Sequence, residues 1–352
     1  MSKSKLPIAV GIVGLGRAGW GMQCKELEKR KKTFRIAAGC DPIAKRRRQM
    51  VDTYGAKAYK TIEELVADPE IELVSIATPS TEHVDHALLA LAAGKKVIVE
   101  KPLAISYDEA RRLVKGAGKN KANLFVRHNR RFEGAFNDIL DIVKSGLIGD
   151  LFEIKLRRLG YARRDDWQTL MSRGGGQLLN WGPHIVDHAL HFLESPVKQI
   201  WTDLRKIAAM GDAEDHVRII LRGENGRVAD LEISGGCAIR QPVYWLAGTR
   251  GALTSNDEQT IELRYLDPKV KLPPRRLKTG VPEYGSFGTR ETLPWVTETR
   301  EVRKDLNIES IWDELYETIR NGKPFRVTLE ESLEVMRVLS QARKGTAFEN
   351  IG

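Results

Sequence analysis

Apolar positions in the first third of the chain gather in short runs separated by stretches of helical spacing. Ile8-Ala9-Val10-Gly11-Ile12-Val13, Phe34 to Cys40 and Ile71 to Ala77 are largely apolar on both faces and rich in β-branched residues. Strands buried between two helical layers need that composition. Shorter runs of the same kind are Gly55 to Tyr59, Lys96 to Val99 and Asn123 to Val126. The intervening segments read as helices: Trp20 to Lys31, Ala44 to Tyr54, a stretch capped by Thr61 with Glu64, one carrying His83 and His86, and Ser106 to about Ala117. Strand and helix alternate, so residues 1–126 are expected to form a doubly wound parallel α/β sheet.

The pattern then changes. Leu151 to Tyr161, Gln199 to Ile207, Asp215 to Arg222, Arg227 to Ser234, Tyr244 to Ala247 and Thr260 to Tyr265 show the alternation of half-buried strands. One helix, Leu178 to Leu193, interrupts them, and two more (Ser310 to Ile319, Leu329 to Ala342) finish the chain. Residues 267–300, with Tyr284, Phe287 and Trp295, read as one long connection. Residues 127–352 are therefore expected to be an α+β domain built on a mostly antiparallel, open-faced sheet.

Within that frame, Gly14-Leu15-Gly16-Arg17-Ala18-Gly19 joins the first strand to the first helix. The first glycine permits the tight turn, the second lets a pyrophosphate reach bare backbone, and the third lets the helix pack on the strand. Asp41, at the end of the second strand, is placed for a ribose diol. A dinucleotide is expected here. Asp41 favours NAD by repelling a 2′-phosphate, while the nearby Lys45 to Arg48 keep NADP open. Thr78-Pro79-Ser80 and Glu100-Lys101 end two further strands at the same sheet edge, where ligands of open α/β sheets lie, and His83 follows the first of them.

Composition narrows the class. The chain has 352 residues, 41% of them apolar and 30% charged, with a net charge of +10 spread over short clusters. No basic face with interleaved aromatics points to nucleic acid. Three scattered cysteines fit reduced thiols in a cytoplasmic protein, and no apolar run is long enough to span a membrane. The first strand starts too near Met1 to leave room for a secretion signal.

Gly11 to Gly19, Cys40-Asp41-Pro42, Ala77 to Ser80, Val99-Glu100-Lys101-Pro102, Asn129-Arg130-Arg131-Phe132 and Gly174-Gly175-Gly176 through His184, Asp187 and His188 together resemble the Gfo/Idh/MocA oxidoreductases of sugars, inositols and related polyols. The resemblance implies a Rossmann domain, a nicotinamide ring facing the second domain, and a homo-oligomer formed through the second sheet. It places Lys101 beside the reacting carbon, where an ammonium can stabilise a developing alkoxide. It makes His184 the group that exchanges the hydroxyl proton. Asn180 stands where the family usually has an aspartate, so the expected orienting carboxylate is replaced by an uncharged amide. The cofactor set implied is Gly14 to Gly19, Asp41, Thr78, Pro79, Ser80, His83, Glu100 and Lys101. Arg163, Arg164 and Trp167 border the implied substrate space, with Asn129 and Tyr161 as further candidates. Asp187 and His188 are read as substrate or supporting groups. His184, Asp187, His188 and His191 share a helical face without thiolate or glutamate partners, and no metal is expected there.

The expected activity is hydride transfer between NAD and a secondary alcohol or ketone of a sugar, glycoside or cyclitol. Two alternatives stay open: transient oxidation that enables elimination at a neighbouring carbon, and a non-catalytic sugar or dinucleotide sensor on the same fold.

Overall fold

The computed structural model describes residues 6–277, 279–281 and 291–350; Tyr284 and Phe287 lie outside the described residues. The first sheet has six parallel strands: β1 (Ile8–Val13), β2 (Phe34–Cys40), β3 (Lys57–Tyr59), β4 (Leu73–Ile76), β5 (Lys96–Glu100) and β6 (Leu124–Arg127). Their order is β3-β2-β1-β4-β5-β6. All six residues of β1 are buried, as a strand covered on both faces requires. The order reverses between β1 and β4, so the turns after these two strands diverge and leave a crevice at their carboxyl ends.

The chain covers this sheet with α1 (Lys25–Glu28), α2 (Ala44–Tyr54), α3 (Ile62–Ala67), α4 (His83–Ala92) and α5 (Tyr107–Ala117). Thr61 and Glu64 form the reciprocal cap expected of them. The first helix departs from expectation. Gly19–Cys24 is a widened π turn, and only Lys25–Glu28 is α-helical. Gly21 N–H donates to Gly16 O and Gln23 N–H to Ala18 O, five residues back. The wide turn accompanies the burial of Gln23, which donates to Glu100 Oε1 (2.9 Å) and accepts from Ser75 Oγ (2.6 Å).

After α6 (Gly134–Lys144), the second sheet begins with β7 (Leu151–Leu159). Next come α7 (Gln177–Asn180) and α8 (Gly182–Leu193), then β8 (Val197–Arg205), β9 (His216–Gly223), β10 (Val228–Ser234), β11 (Tyr244–Gly248), β12 (Gly251–Ser255), β13 (Thr260–Leu266) and β14 (Trp295–Glu301). The strand order is β14-β13-β12-β11-β7-β10-β9-β8, antiparallel except for β7 beside β10. β12 and β14 correct the sequence reading, which passed over the first and placed the second in a connection. β12 is a five-residue GALTS segment, too short and too small-sided to show alternation. β14 is a mostly polar edge strand, and a charged edge is how sheets resist further pairing. Helices α6 to α8 cover one face of the sheet. The other face leaves Trp201 and Trp295 exposed.

The expected helix Leu178 to Leu193 is broken at Trp181. Pro183 has no N–H to give Leu179, and His184 N–H bonds three residues back to Trp181 O (3.0 Å). The Asn180 carbonyl is thereby free for a partner outside the helix. Finally α9 (Ser310–Asn321) and α10 (Leu329–Arg343) return to the first sheet's helical layer. Trp312 is buried edge-on against Phe34, and its Nε1–H donates to Glu26 Oε2 (2.6 Å). α9 packs on the first domain, while α10 lies between α5 and β6 of the first and α8 and β8 of the second.

Candidate active site

The glycine-rich turn after β1 is held from two sides. Gly14 has φ +90°, and a Cβ there would lie 2.7 Å from Ala77 O. A Cβ on Gly19 would sit 1.9 Å from Gly14 O. Gly16 faces open space, with only Arg46 Nη1 at 4.0 Å. Two glycines thus close the turn and the middle one leaves its backbone open to a phosphate, with Arg17 and Ala18 following. Asp41 is buried, and Oδ2 accepts from Leu15 N–H (2.9 Å) and from Arg46 Nη1 (3.1 Å). It therefore anchors the turn.

Thr78, Pro79 and Ser80 form the turn after β4. His83 and Glu100, expected to touch cofactor, are instead committed to the interior. His83 Nδ1 lies 2.8 Å from Pro102 O and Nε2 3.0 Å from Thr78 O, so the ring bridges the two strand-end turns. Glu100 accepts from Gln23 and from Arg127 Nη1 (2.9 Å), in a buried chain that continues from Arg127 to Glu26 and Trp312. A buried carboxylate must be paired, and Glu100 meets that demand inside the protein.

Lys101 leaves this network and crosses to the second domain. Its Nζ–H donates to the Asn180 carbonyl (2.8 Å). The helix break described above makes this contact possible, and an ammonium with one bond made keeps two donors. Burial pushes the Lys101 pKa down to about 8, against the opposing pull of Glu100. His184 is buried nearby with its Nδ1 unpartnered. Burial, then the charges of Lys101 and Arg130, hold it well below the ordinary imidazole range. It is neutral at pH 7.

The other predicted groups separate. Asp187 is paired with Arg131 (2.5 Å), both fully enclosed, and Arg131 also reaches Glu331 (2.6 Å). His188 stacks on Phe136, lies 3.1 Å from the Tyr244 hydroxyl, and lies 3.1 Å from Arg130 O. Of the two roles expected for them, substrate contact or support, the Arg131 pairing of Asp187 and the Phe136 and Tyr244 contacts of His188 fit support. Asn129 is buried in the turn after β6. Tyr161 and Trp167 are exposed, Arg164 is paired with Asp166 (2.8 Å), and Arg163 reaches only Met210 Sδ (3.5 Å). All four are at least partly exposed.

Four groups near His184 were not expected as site residues from the sequence. The Trp181 ring lies edge-on to His184, with the guanidinium carbons of Arg130 and Arg158 at 4.3 and 4.9 Å from its centre. Tyr244 and Arg158 line a narrow cavity together with His184, His188, Leu156, Ile185 and Val243. Arg130 stood in a singled-out motif and Arg158 in a charge cluster, but nothing local marks Trp181 or Tyr244.

Residues 8–128 match the oxidoreductase family with an NAD-binding Rossmann fold, and residues 136–254 match the GFO/IDH/MocA C-terminal domain. An uncharacterized oxidoreductase of Schizosaccharomyces pombe is 30% identical over 260 residues, covering 70% of this chain and 69% of that one. The chain belongs to the Gfo/Idh/MocA oxidoreductase family. Another relative, the scyllo-inositol 2-dehydrogenase (NADP(+)) IolW of Bacillus subtilis, is 25% identical over 350 residues, covering 96% and 94% of the two chains. The crystal structure of an NAD-binding protein from Listeria innocua superposes with a TM-score of 0.78 at 26% identity, covering 95% and 94%. The chain thus carries the NAD-binding Rossmann domain of this oxidoreductase family, and the open backbone at Gly16 beside the anchored Asp41 fits a dinucleotide of the NAD(P) type. Among the described residues, no helix is long and apolar enough to cross a membrane.

Proposed function

We propose that this Gfo/Idh/MocA protein is a dehydrogenase or ketone reductase acting on a secondary alcohol of a sugar, glycoside or cyclitol. The observation that carries the reading is the partly buried Lys101 side chain, held by Asn180 O in the same cleft as the buried His184. Bound NAD supplies the hydride acceptor. In place of the His184 proton exchange that the resemblance implies, the Lys101 amine accepts the hydroxyl proton on its lone pair in oxidation, and the resulting ammonium donates it back to the oxygen in reduction. His184 stays neutral and hydrogen-bonds the same oxygen. Similarity to an inositol dehydrogenase supports a polyol substrate. A screen of ketosugars and inososes for NADH consumption tests the reading; tight NADH binding without turnover of any of them would favour the sensor.

NADH is expected to bind more tightly than NADPH, because the buried Asp41 carboxylate opposes a 2′-phosphate. Arg46, already paired with Asp41, is the group of the Lys45 to Arg48 cluster best placed to reverse this. Dissociation constants of wild type and Arg46→Ala decide the matter, and tighter NADPH binding in wild type overturns the preference.

Asn180→Asp places a carboxylate on the residue whose carbonyl receives Lys101, one turn before His184. Both conjugate acids should be stabilised. The acidic limb of the oxidation profile is expected to rise by about one pH unit, the size typical of one opposite charge in a partly hydrated cleft. An unmoved limb would mean that the Asn180 side chain does not face the titrating group.

We also propose that copies pair through the bare face of the second sheet, burying Trp201 and Trp295. Sedimentation of the wild type should show a homo-oligomer, and Trp201→Asp should shift it towards monomer.

A further inference from the structure

We propose that His216, Glu232 and Cys237 form a binding site for a divalent cation of borderline softness, such as Zn2+. The three lie on the bare face of the second sheet, away from Lys101 and His184. In the ladder between β9 and β10, His216 pairs with Ser234 and Arg218 with Glu232. His216 and Glu232 are therefore diagonal neighbours on one face. The opposite set, Val217, Ile219, Ala229, Leu231 and Ile233, is buried under the helices.

Beyond β10 the chain folds back. Ser234 Oγ accepts from Gly236 N–H (3.1 Å), and Cys237 N–H donates to Gly160 O (3.0 Å). This turn carries the thiol over the face, 3.9 Å from Glu232 Oε1. One ligand atom from each of the three residues lies within 4.8 Å of the other two. Donors around a tetrahedral zinc stand about 3.5 Å apart, so side-chain rotation of roughly an ångström closes the set.

The chemistry of the donors selects the ion. One thiolate, one imidazole and one carboxylate suit Zn2+ or Co2+ and disfavour Mg2+ or Ca2+, which want oxygen alone. Thiolate and carboxylate together balance a double positive charge. Arg157 Nε lies 3.3 Å from Glu232 Oε2 and is itself tied to Asp230 (2.6 Å), which steadies the carboxylate. Cys24 and Cys40, by contrast, are buried in the first domain, where burial pushes their thiols up to about 12. On coordination the Cys237 thiol loses its proton to solvent and the fourth position falls to water. The bound ion would fasten the turn 234–237 to the sheet, a structural role rather than a catalytic one.

Co2+ titrated into metal-free full-length protein is the test. The expected result is one equivalent bound with a thiolate-to-cobalt charge-transfer band, displaced by Zn2+. Cys237→Ser should remove the band, and His216→Gln should weaken Co2+ binding at least tenfold, with NADH affinity intact in both as proof of folding. Absence of the band in wild type, or its persistence in Cys237→Ser, overturns the proposal.

Discussion

Lys101→Ala is expected to lower turnover at least about a hundredfold while leaving NADH affinity within about twofold, because one positioned donor is removed from the transition state. The side chain ends a strand whose carboxylate neighbour, Glu100, is fully engaged with Gln23 and Arg127. The lysine is therefore free to serve the cleft rather than its neighbour. Its pKa, lowered to about 8 by burial, puts the proton transition inside the accessible range. Ketone reduction needs the ammonium and should fall above pH 8, whereas oxidation needs the amine and should fall below it. Lys101→Arg keeps the charge but cannot deprotonate, so it should abolish the limb near pH 8 in the oxidation profile. Activity of Lys101→Ala within a few-fold of wild type would show that the group is structural.

Asp187→Ala is expected to cost about 3 kcal/mol of stability, the lower end of what breaking a buried ion pair costs. Arg131 would be left enclosed with only Glu331 and the Arg326 carbonyl as partners. The three carboxylate and guanidinium groups join the turn after β6, α8 and α10, so the loss loosens the seam on which His184 sits. Burial pushes the Asp187 carboxyl up, but Arg131 outweighs it and holds the group well below the usual carboxylate range. A depressed folded value means that the contribution is complete above about pH 4 and is lost as the pH falls towards that value. Urea unfolding at pH 7 measures the cost. A loss under about 1 kcal/mol would show that the pair does not support the seam, and Arg131→Leu with Asp187→Leu should recover part of any larger loss.

How much of this was legible from the sequence follows from how local each signal is. The parallel sheet, the Thr61 cap, the glycine turn and Asp41 are written in neighbouring residues. Apolar runs, a cap three residues from its partner and a glycine that must take positive φ all act within a few positions. The change from buried runs to alternation near Leu151 likewise announced a second, antiparallel sheet. β14 escaped because a polar edge strand has no apolar stripe to betray it.

The roles of charged and aromatic groups were a different matter. His83, Glu100, Asp187 and His188 have the residue types of a site, yet each is used up by partners from 5 to 77 residues away. Trp181 and Tyr244 come up to His184 and its cavity without any local mark. Nor did the sequence reveal that Pro183 frees the Asn180 carbonyl for Lys101, 79 positions away. Periodicity and turn chemistry are properties of a few adjacent residues, so the sequence alone determined the two sheets and the dinucleotide turn. Which carboxylate neutralises which cation, and which lysine keeps donors to spare, depends on groups that meet only after the domains close. The tertiary structure decided that, because burial leaves no polar group unpaired without cost.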